Sequence, residues 1–242
     1  MKKLPETDAI FDRLAQVNPA ADAAESILRL SVDAKATIPI GLFARGGYNR
    51  LTIKAWDHDF KPKAKVTPVG VFLPQYDELY LFLVSGKVTA DCLVDCIDQT
   101  WLMLAERFPT VQTLMLNLDN GPENHSRRTQ FMKRLTELTD EYQLTINLAY
   151  YPPYHSKYNP VERVWGVLEQ HWNGSLLDSL NTVFEFAKTM TYNGVYPVVQ
   201  QLSKTYLTGV KLTKKAMSEL EQRFERLPAL EKYFVSIPPL PS

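Results

Sequence analysis

From Ile27 to Asp33 the chain alternates, with Leu28, Leu30 and Val32 on one side and Arg29, Ser31 and Asp33 on the other. A period of two marks a strand with one buried face, and this strand ends on a carboxylate. Val66–Leu73 and Glu78–Ser85 read as two further strands, parted by a short turn around Gln75-Tyr76-Asp77. The spacing then becomes helical over Val88–Phe108, where Leu93, Cys96, Ile97, Trp101 and Leu104 point inward. Val111–Asp119 is an almost unbroken apolar run, the pattern of a strand covered on both faces of a mixed or parallel sheet. It stops at Asp119-Asn120-Gly121-Pro122, a turn signal. Asn124–Tyr142 reads as a helix with Phe131, Leu135, Leu138 and Tyr142 aligned, and Leu144–Ala149 as the next strand. Residues 1–26 form a helical lead-in, and residues 34–65 are irregular. Leu177–Thr191 and Thr213–Arg226 are further helices, and the tail Ile237–Ser242 is expected to be loose.

The order β-β-β-α-β-α-β-α followed by helices predicts an α/β fold. Three sequential strands form an antiparallel meander, and the strand–helix units add strands through right-handed crossovers. The expected architecture is a mixed five-stranded sheet flanked by helices, an order that matches a ribonuclease H-like fold. Its core spans 27–175, residues 176–236 add a helical extension of the same domain, and 237–242 are the tail. Ligands of such open sheets collect beyond the carboxyl ends of strands. Asp33 and Asp119 both stand at such ends.

The remaining chemistry concentrates in Asn147–Gly174. A Pro-Tyr-rich loop stiffened by Pro152 and Pro153 leads into a helix. Asn159 can cap that helix, Pro160 suits its first position, and Glu162 falls at the third. Val161, Val164, Trp165, Leu168 and Trp172 make a buried stripe, whereas Glu162 faces elsewhere, one turn before the open Gly166. Two readings stand for Glu162. In one it is the acid of a capping box, satisfying the Asn159 backbone N–H. In the other it converges with Asp33 and Asp119 on one crevice. Three such acids suit two hard divalent cations, Mg²⁺ or Mn²⁺, which roughly 3.5–4 Å apart support phosphoryl transfer. Without a cation the acids repel and raise one another's pKa values.

Other acids and histidines read differently. Asp91, Asp95 and Asp98 recur at helical spacing and look like a solvated face. Glu123 reads as a helix-start acid, and Asp57-His58-Asp59 is open to either a structural or a site role. His125, His155 and His171 have no metal spacing; His155, in the loop before Glu162, either packs or touches substrate.

Charge narrows the partners. The 242 residues carry 27 basic and 27 acidic side chains, so any nucleic-acid surface is local. Residues 34–65 hold seven Lys/Arg against two Asp, an excess of five. The two cysteines, Cys92 and Cys96, make neither a disulfide framework nor a zinc spacing, which points to a reducing, intracellular setting. No apolar run is long enough for a membrane helix, and no signal peptide or internal repeat is visible.

Two long stretches then carry a specific resemblance. Leu118-Asp-Asn-Gly-Pro-Glu-Asn-His-Ser-Arg-Arg-Thr-Gln-Phe131 and Tyr150-Tyr-Pro-Pro-Tyr-His-Ser-Lys-Tyr-Asn-Pro-Val-Glu-Arg-Val-Trp-Gly166 closely resemble bacterial DDE insertion-sequence transposases of the ISAzo type, relatives of the mariner-like group. Ser31–Lys35, Ala44–Gly47, Trp56–Phe60, His171–Gly174 and Val210–Lys215 also look like that family. The resemblance implies a ribonuclease H-like domain with Asp33, Asp119 and Glu162 as its catalytic, metal-holding triad. Two Mg²⁺ or Mn²⁺ ions would be held, Asp33 bridging both, and the domain would cleave DNA and transfer the freed 3′ end into target DNA. The implied partners are element ends, target DNA and a second copy in a synaptic complex; the implied location is the bacterial cytoplasm, at the nucleoid. Lys35, Arg45, Arg50, Lys54, Arg127, Arg128, Lys157 and Arg163 are candidates for backbone-phosphate contacts. A nuclease without strand transfer and an inactive DNA-binding remnant are the alternatives. About 26 residues before the first strand are too few for the helix-turn-helix reader of such proteins, so the expectation is a truncated product or an isolated catalytic core.

Overall fold

The computed structural model describes residues 4–43, 62 and 64–241. Six helices and nine strands run α1 (Thr7–Ala23), β1 (Ile27–Ala34), β2 (Ile38–Ile40), β3 (Ala64–Leu73), β4 (Glu78–Val84), α2 (Ala90–Leu104), β5 (Thr113–Leu118), α3 (Thr129–Tyr142), β6 (Thr145–Tyr150), α4 (Pro160–Trp172), α5 (Leu180–Lys188), β7 (Val198–Leu202), α6 (Lys214–Glu221), β8 (Glu225–Arg226) and β9 (Phe234–Ile237) among the described residues. A single 3₁₀ turn, Ser156–Tyr158, precedes α4.

The mixed sheet has the order β7-β4-β3-β1-β5-β6-β9-β8, with β2 on β3. Its centre is the expected meander, β1 antiparallel to β3 and β3 antiparallel to β4, followed by β5 and β6 added in parallel beside β1. One apolar cluster packs α1, α2 and α3 with the sheet, including Leu14, Ile97 and Phe131. A second seats Val161, Trp165 and Trp172 of α4, with Val183 of α5, on Phe72, Leu79 and Leu81. β5 is buried from Leu114 to Leu118, which is why its sequence lacks alternation.

The sheet is wider than the five strands expected. Val198–Leu202 pairs in parallel with β4 where only a connection was foreseen. The helix expected to Arg226 ends at Glu221, and Glu225–Arg226 pairs with the last strand instead. That strand holds Ile237, expected in a loose tail; it pairs with Ile146 and is fully buried. Phe234, Val235 and Ile237 cover the edge of β6, which would otherwise expose unpaired backbone groups. These short strands carry too few residues for a period to emerge.

The acidic stripe of α2 is also not a solvated face. Asp91 accepts from Gln130 and Arg134, and Asp98 accepts from the Tyr142 hydroxyl. Asp95 is buried and accepts from Arg134 at 2.9 Å, Lys204 at 2.7 Å and Tyr206 at 2.8 Å. Burial opposes its charge, but these hydrogen bonds hold its carboxyl below the usual range. A depressed folded-state pKa gives stability that is present above the unfolded value and lost as pH falls through the folded one. The three acids clamp α2 to α3 and to the segment after β7. Asp95→Ala is expected to lower unfolding stability by roughly 1–3 kcal/mol at neutral pH, because it removes three hydrogen bonds and leaves the buried Tyr206 hydroxyl without its acceptor. Urea denaturation measures this, and an unchanged midpoint would mean that the clamp contributes nothing.

Candidate active site

The site starts from one serine on the polar side of β1. Ser31 is fully buried; its hydroxyl donates to Asn159 Oδ1 at 2.6 Å and accepts from the Val161 backbone N–H at 3.0 Å. Asn159, also fully buried, donates through Nδ2 to the Val32 carbonyl at 3.3 Å. The first turn of α4 is therefore capped from the strand. This corrects the capping-box reading: the Asn159 side chain makes no cap bond, and its own N–H goes to the Ser156 carbonyl at 2.7 Å. The Glu162 carboxylate is left without a hydrogen bond or ion pair among the described residues.

Asp33 lies two residues beyond Ser31 on the same strand face. Its Oδ2 accepts from the Trp165 indole N–H at 2.8 Å. That approach depends on Gly70, paired with Asp33 across β1 and β3. A Cβ on residue 70 would stand 2.6 Å from the Trp165 ring. Burial, then the charge of Asp119 and then that of Glu162 push the Asp33 carboxyl up to about 7, against the lowering effect of the Trp165 and Ala34 hydrogen bonds. Asp119, just past β5, accepts at Oδ1 from the Gly121 N–H at 3.1 Å and from Asn124 Nδ2 at 2.9 Å. The three predicted acids thus come from three separate elements, and the charges of Asp119 and Glu162 both reach Asp33.

Their donor chemistry suits a divalent cation. All are carboxylate oxygens, the ligands hard cations prefer; Asp33 Oδ2 is anchored by Trp165 and Asp119 Oδ1 by Gly121 and Asn124. Among the described residues, no group of three His, Cys, Asp or Glu side chains is disposed to hold a metal ion as it stands.

The candidate phosphate contacts divide. Arg127, Lys157 and Arg163 are exposed, and Lys157 lies over the Tyr158 ring at 5.1 Å. Arg128 is bound to Glu123 at 3.0 Å and Lys35 to Glu169 at 2.8 Å. Arg45, Arg50 and Lys54 lie outside the described residues, as does Asp57-His58-Asp59. His155 packs: it is buried, bonds the Pro153 carbonyl through Nδ1 and meets Phe11 edge-on. Glu123 accepts from the first N–H of α2, at Ala90, rather than starting its own helix. Sequence reading missed Ser31, Gly70, Trp165 and Asn124 as parts of the site. Ser31 carried a signal, a small polar residue on the strand face that ends at Asp33; Trp165 was absorbed into an apolar stripe and gave none.

Similarity to known proteins bears on this geometry. A comparison with curated proteins finds no match. Among solved structures, the Mos1 transposase paired-end complex with left transposon end superposes with a TM-score of 0.50 at 14% identity, over 76% of this chain and 55% of that one. The Mos1 mariner paired-end complex with Mn gives 0.51 at 13% identity, over 77% and 54%. The match thus spans about half the length of these relatives, and they share its fold, the ribonuclease H-like arrangement expected from the element order. A family profile described as the Rhodopirellula transposase DDE domain matches residues 1–239, and the chain belongs to that family.

Proposed function

We propose that this chain is the catalytic domain of a DNA transposase, in which Asp33, Asp119 and Glu162 hold two divalent cations, Mg²⁺ or Mn²⁺. The observation that carries the reading is that Asp119 and Glu162, from two other elements, both act electrostatically on Asp33, which Trp165 holds by its indole N–H; burial first and then these charges push the Asp33 carboxyl up to about 7. An acid perturbed by burial and by neighbouring like charges is a candidate functional group. When bound, such cations lower the barrier to phosphoryl transfer by offsetting charge on the attacking and leaving oxygens. The protein's own part is positioning. Trp165 keeps one Asp33 oxygen occupied and so limits how the carboxylate can turn. The Ser31–Asn159 bonds fix the start of α4 and with it Glu162. Exposed Arg127, Lys157 and Arg163 orient the DNA backbone. The substrates are element ends and target DNA, engaged by two copies in a synaptic complex, and the setting is the bacterial nucleoid.

Incubation with a labelled element-end duplex and Mn²⁺ tests the reaction. Nicked and joined products are expected. Nicking alone would make the protein a nuclease, and binding without either product would make it an inactive remnant. Asp119→Asn keeps the volume and removes the ligand charge, so it is expected to reduce cleavage at least 100-fold with the fold intact by circular dichroism. Cleavage at the wild-type rate would discard Asp119 as a ligand.

The same acids affect stability. The folded pKa of Asp33, about 7, lies above the ordinary 3.8. The folded state therefore binds the extra proton between these values. That contribution is present in full below about 3.8 and lost as pH rises through about 7. Asp33→Asn removes the buried charge and keeps an acceptor for Trp165. In metal-free buffer at pH 8 it is expected to stabilise the protein by roughly 2–4 kcal/mol, with a much smaller gain at pH 5. Thermal melts measure this, and a lower Tm than wild type at pH 8 would contradict it.

DNA binding by this domain is expected to be weak and salt-dependent, about 10⁻⁴–10⁻⁶ M at physiological salt, because the chain carries no net charge. Lys157→Ala with Arg163→Ala should reduce the slope of log affinity against log salt by about one for each lost phosphate contact. An unchanged slope would place the DNA elsewhere.

A further inference from the structure

The loop after Asp119 contains a polar group that the triad leaves unexplained. Asn124 is 5% exposed. Its Nδ2 donates to Asp119 Oδ1 at 2.9 Å, which fixes the amide orientation, since the reverse would set two oxygens against each other. Its Oδ1 is then buried without any hydrogen-bond partner. The residue cannot easily turn away. The fully buried Tyr150 donates its hydroxyl to the Asn124 carbonyl at 2.6 Å, and the Asn124 N–H reaches the Gly121 carbonyl at 3.4 Å.

Gly121 faces the same group. A Cβ there would lie 3.1 Å from Asn124 Oδ1 and 3.3 and 3.5 Å from the two Asp119 oxygens. Its φ is outside the left-handed region, so conformational freedom does not account for a glycine at this point. A side chain there would press on three oxygens, Asn124 Oδ1 and the two of Asp119. A buried acceptor without a donor costs about 1–3 kcal/mol, and native proteins resolve most such cases with a partner.

We infer that Asn124 is a positioning residue of the cation site, holding Asp119 in one orientation through Nδ2, with Oδ1 turned to the side on which Gly121 carries no side chain. The inference rests on the proposed reading of the three acids and adds the Asp119 side of the site to it. Outer partners of this kind orient metal-binding carboxylates, and their loss typically weakens metal affinity about 10–100-fold.

The test is a Mn²⁺ titration of the whole protein without DNA, following free Mn²⁺ by electron paramagnetic resonance, with metal-free thermal melts alongside. Wild type is expected to bind Mn²⁺, and Asp33→Asn to lose that binding. Asn124→Ala should weaken Mn²⁺ affinity about tenfold or more, while its metal-free Tm stays within a few degrees of wild type. Gly121→Ala keeps the amide and serves if Asn124→Ala fails to fold; it should weaken Mn²⁺ binding as well. Wild-type binding that is unchanged in a folded Asn124→Ala or, failing that, in Gly121→Ala would overturn this inference and leave the triad standing. Absence of Mn²⁺ binding in wild type would overturn both.

Discussion

The junction between β1 and α4 governs the rest of the site. Ser31 and Asn159 are separated by 128 residues, yet their side chains bond at 2.6 Å with no exposure to water. The same hydroxyl caps Val161, the residue before Glu162, and stands two residues before Asp33. Two of the three acids therefore take their relative placement from one buried cluster. In such surroundings an unmade hydrogen bond is costly, so the helix start cannot slide along the strand without losing several bonds at once. Trp165, one turn further along α4, adds the indole bond to Asp33 and ties the helix face to the end of the strand.

Close packing makes this possible. The Trp165 ring lies where a side chain on residue 70 would have to be. The glycine in β3 gives up strand propensity and allows the indole to lie over the sheet at the point where Asp33 needs a donor. Val161, Val164 and Leu168 are buried around it, so the donor is held by packing as well as by its hydrogen bond.

Asp33 and Asp95 show how surroundings separate acids of the same type. Both are largely buried. Asp95 meets Arg134, Lys204 and Tyr206, and its carboxyl stays charged below the usual range. For Asp33, burial first and then the charges of Asp119 and Glu162 raise the carboxyl to about 7. The first arrangement is complete within the protein and joins elements together. In the second, burial and two like charges outweigh the hydrogen bonds from Trp165 and Ala34.

Much of the architecture was legible in the chain. Alternation in Ile27–Asp33, the apolar run of Val111–Asp119 and the helical spacing of Val161–Trp172 located the central elements, and their ends marked Asp33, Asp119 and Glu162. Edge strands were not legible, because Val198–Leu202 and Phe234–Ile237 are short and owe their extended form to pairing with β4 and β6. Nor was the role of Asp91, Asp95 and Asp98, since their cationic and hydroxyl partners come from α3 and from beyond β7. Asn159 carried every local mark of a helix cap, but a hydroxyl from β1 took that position and the asparagine side chain turned to the strand. Local pattern determined which segments are strands and helices and which acids end them. Only the tertiary structure decided what each polar side chain bonds to, because those partners lie far along the chain and meet only when the sheet is assembled.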